Sequence, residues 1–258
     1  MANARGAVNV RLDCAGKSDK GLARARNEDR ILCDAERQVF AVADGVGGLP
    51  GGAIASAVAV DVLAEELRQV PERSLRDLVF GKDDQGPRLL ENAVAEANQE
   101  IIAIAEAARK MATTLCAVLF RGDIATIAHV GDSRIYLLRE KVLHILTKDH
   151  SLVAEMMAAG RMTPEEAEKF PWPNAISRAL GLHDVVRPDL GRLTVYPGDV
   201  LLLCTDGVSA ELPIDLIVEI LQHAGDADSA TERLVAAANA MGGRDNISAV
   251  VVRVLDYV

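Results

Sequence analysis

The sequence predicts an α+β protein in which antiparallel sheets form the core and helices lie outside them. Three observations carry this reading. Short apolar runs recur with gaps too small to hold a crossover helix, as in the four runs between 113 and 145. Two stretches, from 52 and from 87, change to the helical period. Strands and helices come in blocks and do not alternate one by one, which favours α+β over a parallel α/β sheet. At 258 residues, half of them apolar, the chain can bury a sizeable core, and 1–258 reads as one domain.

Taken in order, 8–14 alternates Val8, Val10, Leu12 and Cys14 with polar neighbours, the period of a strand. The polar segment 16–21 reads as a loop and 30–33 as a second strand. After a turn at 34–37 comes the apolar run that opens 39–48 and stops at Asp44-Gly45, so these two strands form a hairpin. From Gly52, Ile54, Ala57, Val58, Val60, Asp61, Leu63, Ala64 and Leu67 place most apolar residues on one helical face, with Glu65, Glu66 and Arg68 opposite. A polar loop at 81–86 leads to a helix over 87–110, with Pro87 in its first turn. Strands at 113–120, 124–129, 133–138 and 141–145 read as an antiparallel meander. Helices at 151–159, with Ser151 as N-cap, and at 163–170 precede Pro171-Trp172-Pro173-Asn174. The insert 149–188, which carries the sole Trp, reads as a flap over the main body. A strand at 200–205 stops at Asp206-Gly207, helices follow at 213–223 and 228–241, and a last strand runs over 247–255.

Composition excludes several classes. The balance of 28 basic against 38 acidic residues, −10 overall with no basic stripe, disfavours nucleic acid as a partner and with it a metal-dependent nuclease. No apolar run approaches the ~20 residues of a membrane span, and 1–13 lacks the apolar region of a secretory signal, so a cytoplasmic protein is expected. Cys14, Cys33, Cys116 and Cys204 are far apart without a C-x-x-C spacing, and read as buried, reduced thiols and not as a zinc site or redox pair.

The chemistry lies in carboxylates at strand ends. Asp44 and Asp206 each end an apolar run before glycine, Asp245 opens one after glycines, and Asp132 sits between two strands in Gly131-Asp132-Ser133-Arg134. Glu28 and Asp29 precede another strand. Each alone fits a turn, Asp132 with Arg134 as a partner. Brought together they would repel, and a divalent cation removes that conflict. An oxygen-only donor set points to Mg²⁺ or Mn²⁺. Two such ions can clamp an in-line displacement at phosphorus. Arg24, or Arg26 on spacing alone, can grip phosphate oxygens bidentately. His129 reads as a satisfied core histidine and His150 as a structural residue steadying the flap, while Trp172 fits either a substrate approach or a packing plug.

These motifs stand in the order found in a known family. Ser18-Asp19-Lys20-Gly21 with 24–29, Asp44-Gly45-Val46-Gly47-Gly48, Met111-Ala112-Thr113-Thr114 and His129-Val130-Gly131-Asp132-Ser133-Arg134 come first. Thr147-Lys148-Asp149-His150-Ser151, Ile176-Ser177-Arg178-Ala179-Leu180-Gly181, Cys204-Thr205-Asp206-Gly207 and Gly243-Arg244-Asp245-Asn246 complete the series. The chain thus resembles the metal-dependent protein phosphatases of type 2C, the PPM family, in its stand-alone bacterial branch.

The resemblance implies a four-layer α-β-β-α sandwich, two antiparallel sheets flanked by helix pairs, forming a single phosphatase domain with a flap at 149–188. It implies a protein serine/threonine phosphatase acting through a hydroxide that bridges two divalent ions, Mn²⁺ or Mg²⁺. Asp44 would bridge both ions, and Asp206 and Asp245 would complete the first ion's shell. The Gly45 carbonyl and Glu28 would serve the second ion, with Asp29 behind, and Arg24 would hold the substrate phosphate. A third, weaker ion would lie between Asp132 and Asp206, weakened here because Ala210 replaces a frequent acidic residue. Val46 and Leu49 stand where the family often carries a histidine proton donor. The implied partners are phosphorylated proteins, with a bacterial Ser/Thr kinase and its targets foremost, as in the phosphatases of type VI secretion. The competing reading is a pseudophosphatase that binds phosphoproteins without turnover. Retention of Arg24 and the three core aspartates argues against it.

Overall fold

The computed structural model describes residues 9–46, 51–69, 86–108, 111–167, 169–172 and 175–258. One sheet has strand order β1 (Val10–Asp19), β10 (Ile247–Tyr257), β9 (Val200–Cys204), β6 (Arg134–Arg139), β7 (Val142–Ile145). The other runs β2 (Asp29–Asp34), β3 (Val39–Asp44), β4 (Leu115–Arg121), β5 (Ile124–Val130), β8 (Asp189–Thr194). Every pairing is antiparallel. Helices α1 (Gly52–Gln69) and α2 (Gly86–Ala108) cover the second sheet. Past the short helices α3 (Leu152–Ala158), α4 (Pro164–Ala167) and α5 (Asp206–Ser209), helices α6 (Ile214–His223) and α7 (Ala227–Ala240) cover the first. The layers are therefore α-β-β-α, as expected.

Side-chain alternation explains why the central strands read as unbroken apolar runs. In β4, Leu115, Ala117 and Leu119 face the α1–α2 layer, while Cys116, Val118 and Phe120 face the opposite sheet. Both faces are buried, so a strand here needs no polar side. In the inter-sheet layer Phe40 and Phe120 meet edge to face, their centroids 5.8 Å apart. Beyond the first sheet, Leu202 and Val251 meet Ile217, Leu221 and Leu234.

Several expectations need correction. β1 continues through the segment expected as a loop, because β10 pairs with it as far as Asp19 opposite Ile247. The meander is broken: β5 belongs to one sheet and β6 to the other, and Gly131–Ser133 carries the chain between them. β8 is an edge strand with polar residues that had no apolar signal. The 163–170 helix is only one turn long. Residues 47–50, 173–174 and most of the 81–86 loop, with Leu49 among them, lie outside the described residues. Cys116 and Cys204 are buried as expected, but Cys14 is half-buried and Cys33 exposed. Among the described residues, no helix is long and apolar enough to cross a membrane.

Candidate active site

One end of the sandwich collects the acidic strand ends. Asp44, last in β3, lies opposite Asp29, first in β2, in the antiparallel register. β9 ends at Cys204 between Ala249 of β10 and Arg134 of β6, which brings Asp206, Asp245 and Asp132 to that same end. Asp206 does more than stop a strand, since it opens α5 behind Thr205.

Backbone and hydroxyl contacts fix Asp44. Its N–H donates to Thr114 Oγ1 at 2.9 Å, and its carbonyl accepts from Thr113 Oγ1 at 2.8 Å and from the Thr114 N–H at 2.9 Å. The Thr114 and Ser133 hydroxyls are 2.7 Å apart. With its main chain clamped, the Asp44 carboxyl is held where it feels the charges of Asp29 and Asp206. Asp29 is held from behind by Thr205 Oγ1 at 2.9 Å and Ser248 Oγ at 2.6 Å, both donating to Oδ2. It is a buried carboxylate opposite Asp44.

Glu28 is placed by its main chain. Its N–H donates to Asn246 Oδ1 at 2.8 Å, and its carbonyl accepts from Ser56 Oγ and, at 3.2 Å, from the Gly45 N–H. A side chain at Gly52 would sit 3.2 Å from both Glu28 Oε2 and the Gly45 carbonyl oxygen, so these two expected ligands flank one point. Gly52 leaves that point open. Asn246 also donates to the Lys20 and Arg26 carbonyls, both at 2.8 Å, and so pins the whole 20–28 segment that carries Arg24. Arg24 Nη2 meets Asp245 Oδ2 at 2.6 Å.

The electrostatics follow from this crowding. Burial pushes Asp29 up to about 7, partly countered by its hydrogen bonds from Ser248 and Thr205. Burial and then the Asp206 charge push Asp132 up to about 7. Asp44 is held well above the usual carboxylate range by burial, then by Asp29, Asp206, Asp132 and Asp245. Asp206 is raised by burial and by Asp245. Asp29 Oδ1 and Asp206 Oδ1 are buried without a hydrogen-bond partner. Orphaned oxygens among mutually repelling carboxyls, with no histidine or cysteine between them, fit hard divalent cations.

Two neighbouring residues differ from expectation. Asp132 does not pair with Arg134, whose guanidinium takes Asp149 bidentately at 2.9 and 2.7 Å. His129 is buried, yet neither ring nitrogen has a hydrogen-bond partner, and its ring lies 4.6 Å from that of His150. His150 Nδ1 accepts the Gly131 N–H at 3.0 Å, which places the neutral ring's proton on Nε2, 3.2 Å from Asp189 Oδ2. One ligand atom each of His129, His150 and Asp189 fall within 4.8 Å of one another. The tautomer nevertheless makes His150 a tie between the Gly131 turn and β8, since a cation on Nε2 would set two N–H groups against each other at Gly131. As expected, Ser151 caps α3 by accepting the Ala154 N–H. Trp172 is 67% exposed and touches Phe170 edge to face, so it is not a packing plug.

Thr113, Thr114, Asn246, Thr205 and Ser248 had no role assigned from sequence. Their signal was adjacency to the aspartates, but hydroxyl and amide residues beside a turn have too many ordinary uses to stand out.

Comparison with known proteins agrees with this geometry. The family model described as protein phosphatase 2C matches residues 23–250. The serine/threonine protein phosphatase PstP of Mycobacterium tuberculosis is 39% identical over 256 residues, 97% of this chain and 46% of PstP. The chain therefore spans about half the length of that curated relative. A solved structure of the PstP catalytic domain in complex with 2 manganese ions superposes with a TM-score of 0.81 at 37% identity, covering 95% of this chain and 99% of that one. PppA, a regulatory component of type VI secretion in Pseudomonas aeruginosa, gives a TM-score of 0.81 at 31% identity, covering 96% of this chain and 100% of its own. A match over most of the length, on a sandwich whose acidic strand ends meet at one point, places this chain in the protein phosphatase 2C family.

Proposed function

We propose that the chain is a metal-dependent protein serine/threonine phosphatase, with 1–258 as one catalytic domain and 149–188 as its flap. The observation that carries this is the buried, mutually repelling set Asp44, Asp29 and Asp206 with two orphaned oxygens, beside Arg24. Asp44, Asp206 and Asp245 would hold one Mn²⁺ or Mg²⁺, and Asp44, Glu28 and the Gly45 carbonyl a second. Asp132 and Asp206 would offer a third, weaker position. When bound, such ions supply charge neutralisation at phosphorus and water acidified enough to act as nucleophile near neutral pH.

The chain's own residues do the rest. The Thr113–Thr114 clamp and the Thr205–Ser248 pair fix Asp44 and Asp29 before any substrate arrives, so little reorganisation remains. Arg24 exchanges its contact with Asp245 for the phosphate oxygens, which a planar guanidinium meets bidentately. Asn246 keeps the Arg24 segment in register with Glu28.

Phosphorylated proteins are the substrate class, and a Ser/Thr kinase with its targets is the natural opponent, in the manner of systems that include PppA. Cytoplasmic action suits such substrates. The pseudophosphatase reading has no missing core aspartate to support it.

The experiment is phosphate release from a phosphothreonine peptide by chelator-treated protein titrated with Mn²⁺ and Mg²⁺. Release that depends on metal and falls about 10²–10³-fold or more in Asp206→Asn is expected. Metal binding without release from several phosphopeptides would leave the binding-module reading standing instead.

A further inference from the structure

Two cysteines with no spacing motif meet across the edge of the sandwich. β1 is the outer strand of one sheet and β2 the outer strand of the other, and they lie side by side. A Cβ at Gly16 would lie 3.5 Å from Cys33 Cβ and 2.9 Å from Ile31 Cδ1, so Cys33 leans against β1 where β1 has no side chain. Cys14 is two positions earlier and therefore on the same side of the strand. The two thiols are each other's foremost electrostatic neighbours, so the side chains face one another across the sandwich edge. Cys33 is exposed and Cys14 half-buried, whereas Cys116 and Cys204 are buried among apolar residues.

We propose that Cys14 and Cys33 form a reversible disulfide that clasps the two sheets together, with hydrogen peroxide as oxidant. The Cys14 thiolate attacks one peroxide oxygen, the O–O bond breaks, and the departing hydroxide takes a proton to leave as water. The Cys33 thiol then attacks the resulting sulfenic sulfur and gives up its proton, an S–S bond forms, the S–O bond breaks, and the departing hydroxide takes that proton to leave as a second water. Two thiols are oxidised by two electrons and one peroxide is reduced to two waters. Cys14 takes the first step, its pKa lowered by the neighbouring Cys33 thiol.

The position gives the clasp a consequence. β1 runs into the 20–28 segment and β2 runs out of it, so the disulfide closes into one ring the chain that carries Arg24, Glu28 and Asp29. Asn246 pins that ring from inside, and the disulfide would pin it at its neck.

The test treats the full chain, loaded with Mn²⁺, with near-stoichiometric hydrogen peroxide. Non-reducing peptide mapping should link the peptides holding Cys14 and Cys33, and a dithiol should release them. Tm should rise by about 5 °C or more on oxidation and return on reduction. Cys33→Ser, a change at an exposed position, should abolish the rise and leave a dimedone-reactive sulfenic acid at Cys14. Four free thiols after treatment, sulfinic acid at Cys14 without a link, a link only between two molecules, or an unchanged response in Cys33→Ser would each overturn the proposal. None of these readouts depends on phosphatase activity.

Discussion

Two buried carboxylate sites of this molecule have opposite designs. At the end of the sandwich away from the aspartate cluster, Asp199 is 2% exposed and fully answered. Arg139 meets its two oxygens at 2.8 and 2.6 Å, and the Tyr196 N–H adds a third bond at 2.8 Å. Arg139 in turn lies over the Tyr196 ring, 4.7 Å from its centroid. At the other end, Asp44, Asp29 and Asp206 crowd one another with two oxygens unanswered, and the nearby Arg24 spends its contact on Asp245. The difference separates carboxylates that hold a fold together from carboxylates that the fold holds apart from their partners. The first kind has every oxygen answered from within the chain, and the second leaves two buried oxygens unanswered.

Breaking the finished site should have the larger effect on stability. Asp199→Ala strands Arg139 and the Tyr196 N–H, and should cost about 3 kcal/mol, a fall in Tm on the order of 10 °C, equal with and without Mn²⁺. Asp44→Asn should instead raise the Tm of chelator-treated protein and erase the rise that Mn²⁺ gives the wild type. A lower Tm for metal-free Asp44→Asn would mean that the cluster is structural after all.

The pH dependence of the metal-free protein sharpens the contrast. Asp29 and Asp132 are each pushed up to about 7, so between about pH 4 and 7 the native state binds more protons than the unfolded chain. Stability from this cluster therefore falls as pH rises through that window. Asp132→Asn should remove up to about 1.4 kcal/mol per pH unit of that slope in urea titrations with chelator present. The same slope in mutant and wild type would place Asp132 outside the interacting set.

Smaller effects test the frame around the site. Asn246→Ala removes the bonds to the Lys20 and Arg26 carbonyls and the Glu28 N–H, and should cost about 1–3 kcal/mol. Because Arg24 rides on that segment, KM for phosphopeptide should rise as well, and an unchanged KM would show that Arg24 is positioned by other contacts. Ser151→Ala deletes the cap of α3 and should cost about 1 kcal/mol, read as faster proteolysis within 149–188.

Much of this was legible in the chain itself. The apolar runs around 39–44, 115–121 and 200–204 announced strands because burial on both faces leaves no polar register. Asp44 and Asp206, which stop the first and last of those runs, read as candidate site residues because a carboxylate hard against a core needs a reason. What stayed hidden was polar and local. β8 is an edge strand with Arg192 and Gly191 in it, and the extension of β1 past Gly16 follows from its pairing with β10. The meander expectation failed at Gly131–Ser133 because hairpin spacing cannot tell whether the next strand stays in the same sheet.

The sequence by itself determined the composition of the layers and the identity of the acidic strand ends, since period and abrupt polarity change are properties of neighbours along the chain. Tertiary structure decided which strand ends meet and which groups answer them. It set Asn246 against the 20–28 segment, Thr205 and Ser248 behind Asp29, and Cys33 against Gly16 of β1 on the facing sheet. These partners come from strands remote in sequence, and only the register and stacking of two sheets bring them within the few ångströms over which hydrogen bonds and thiols act.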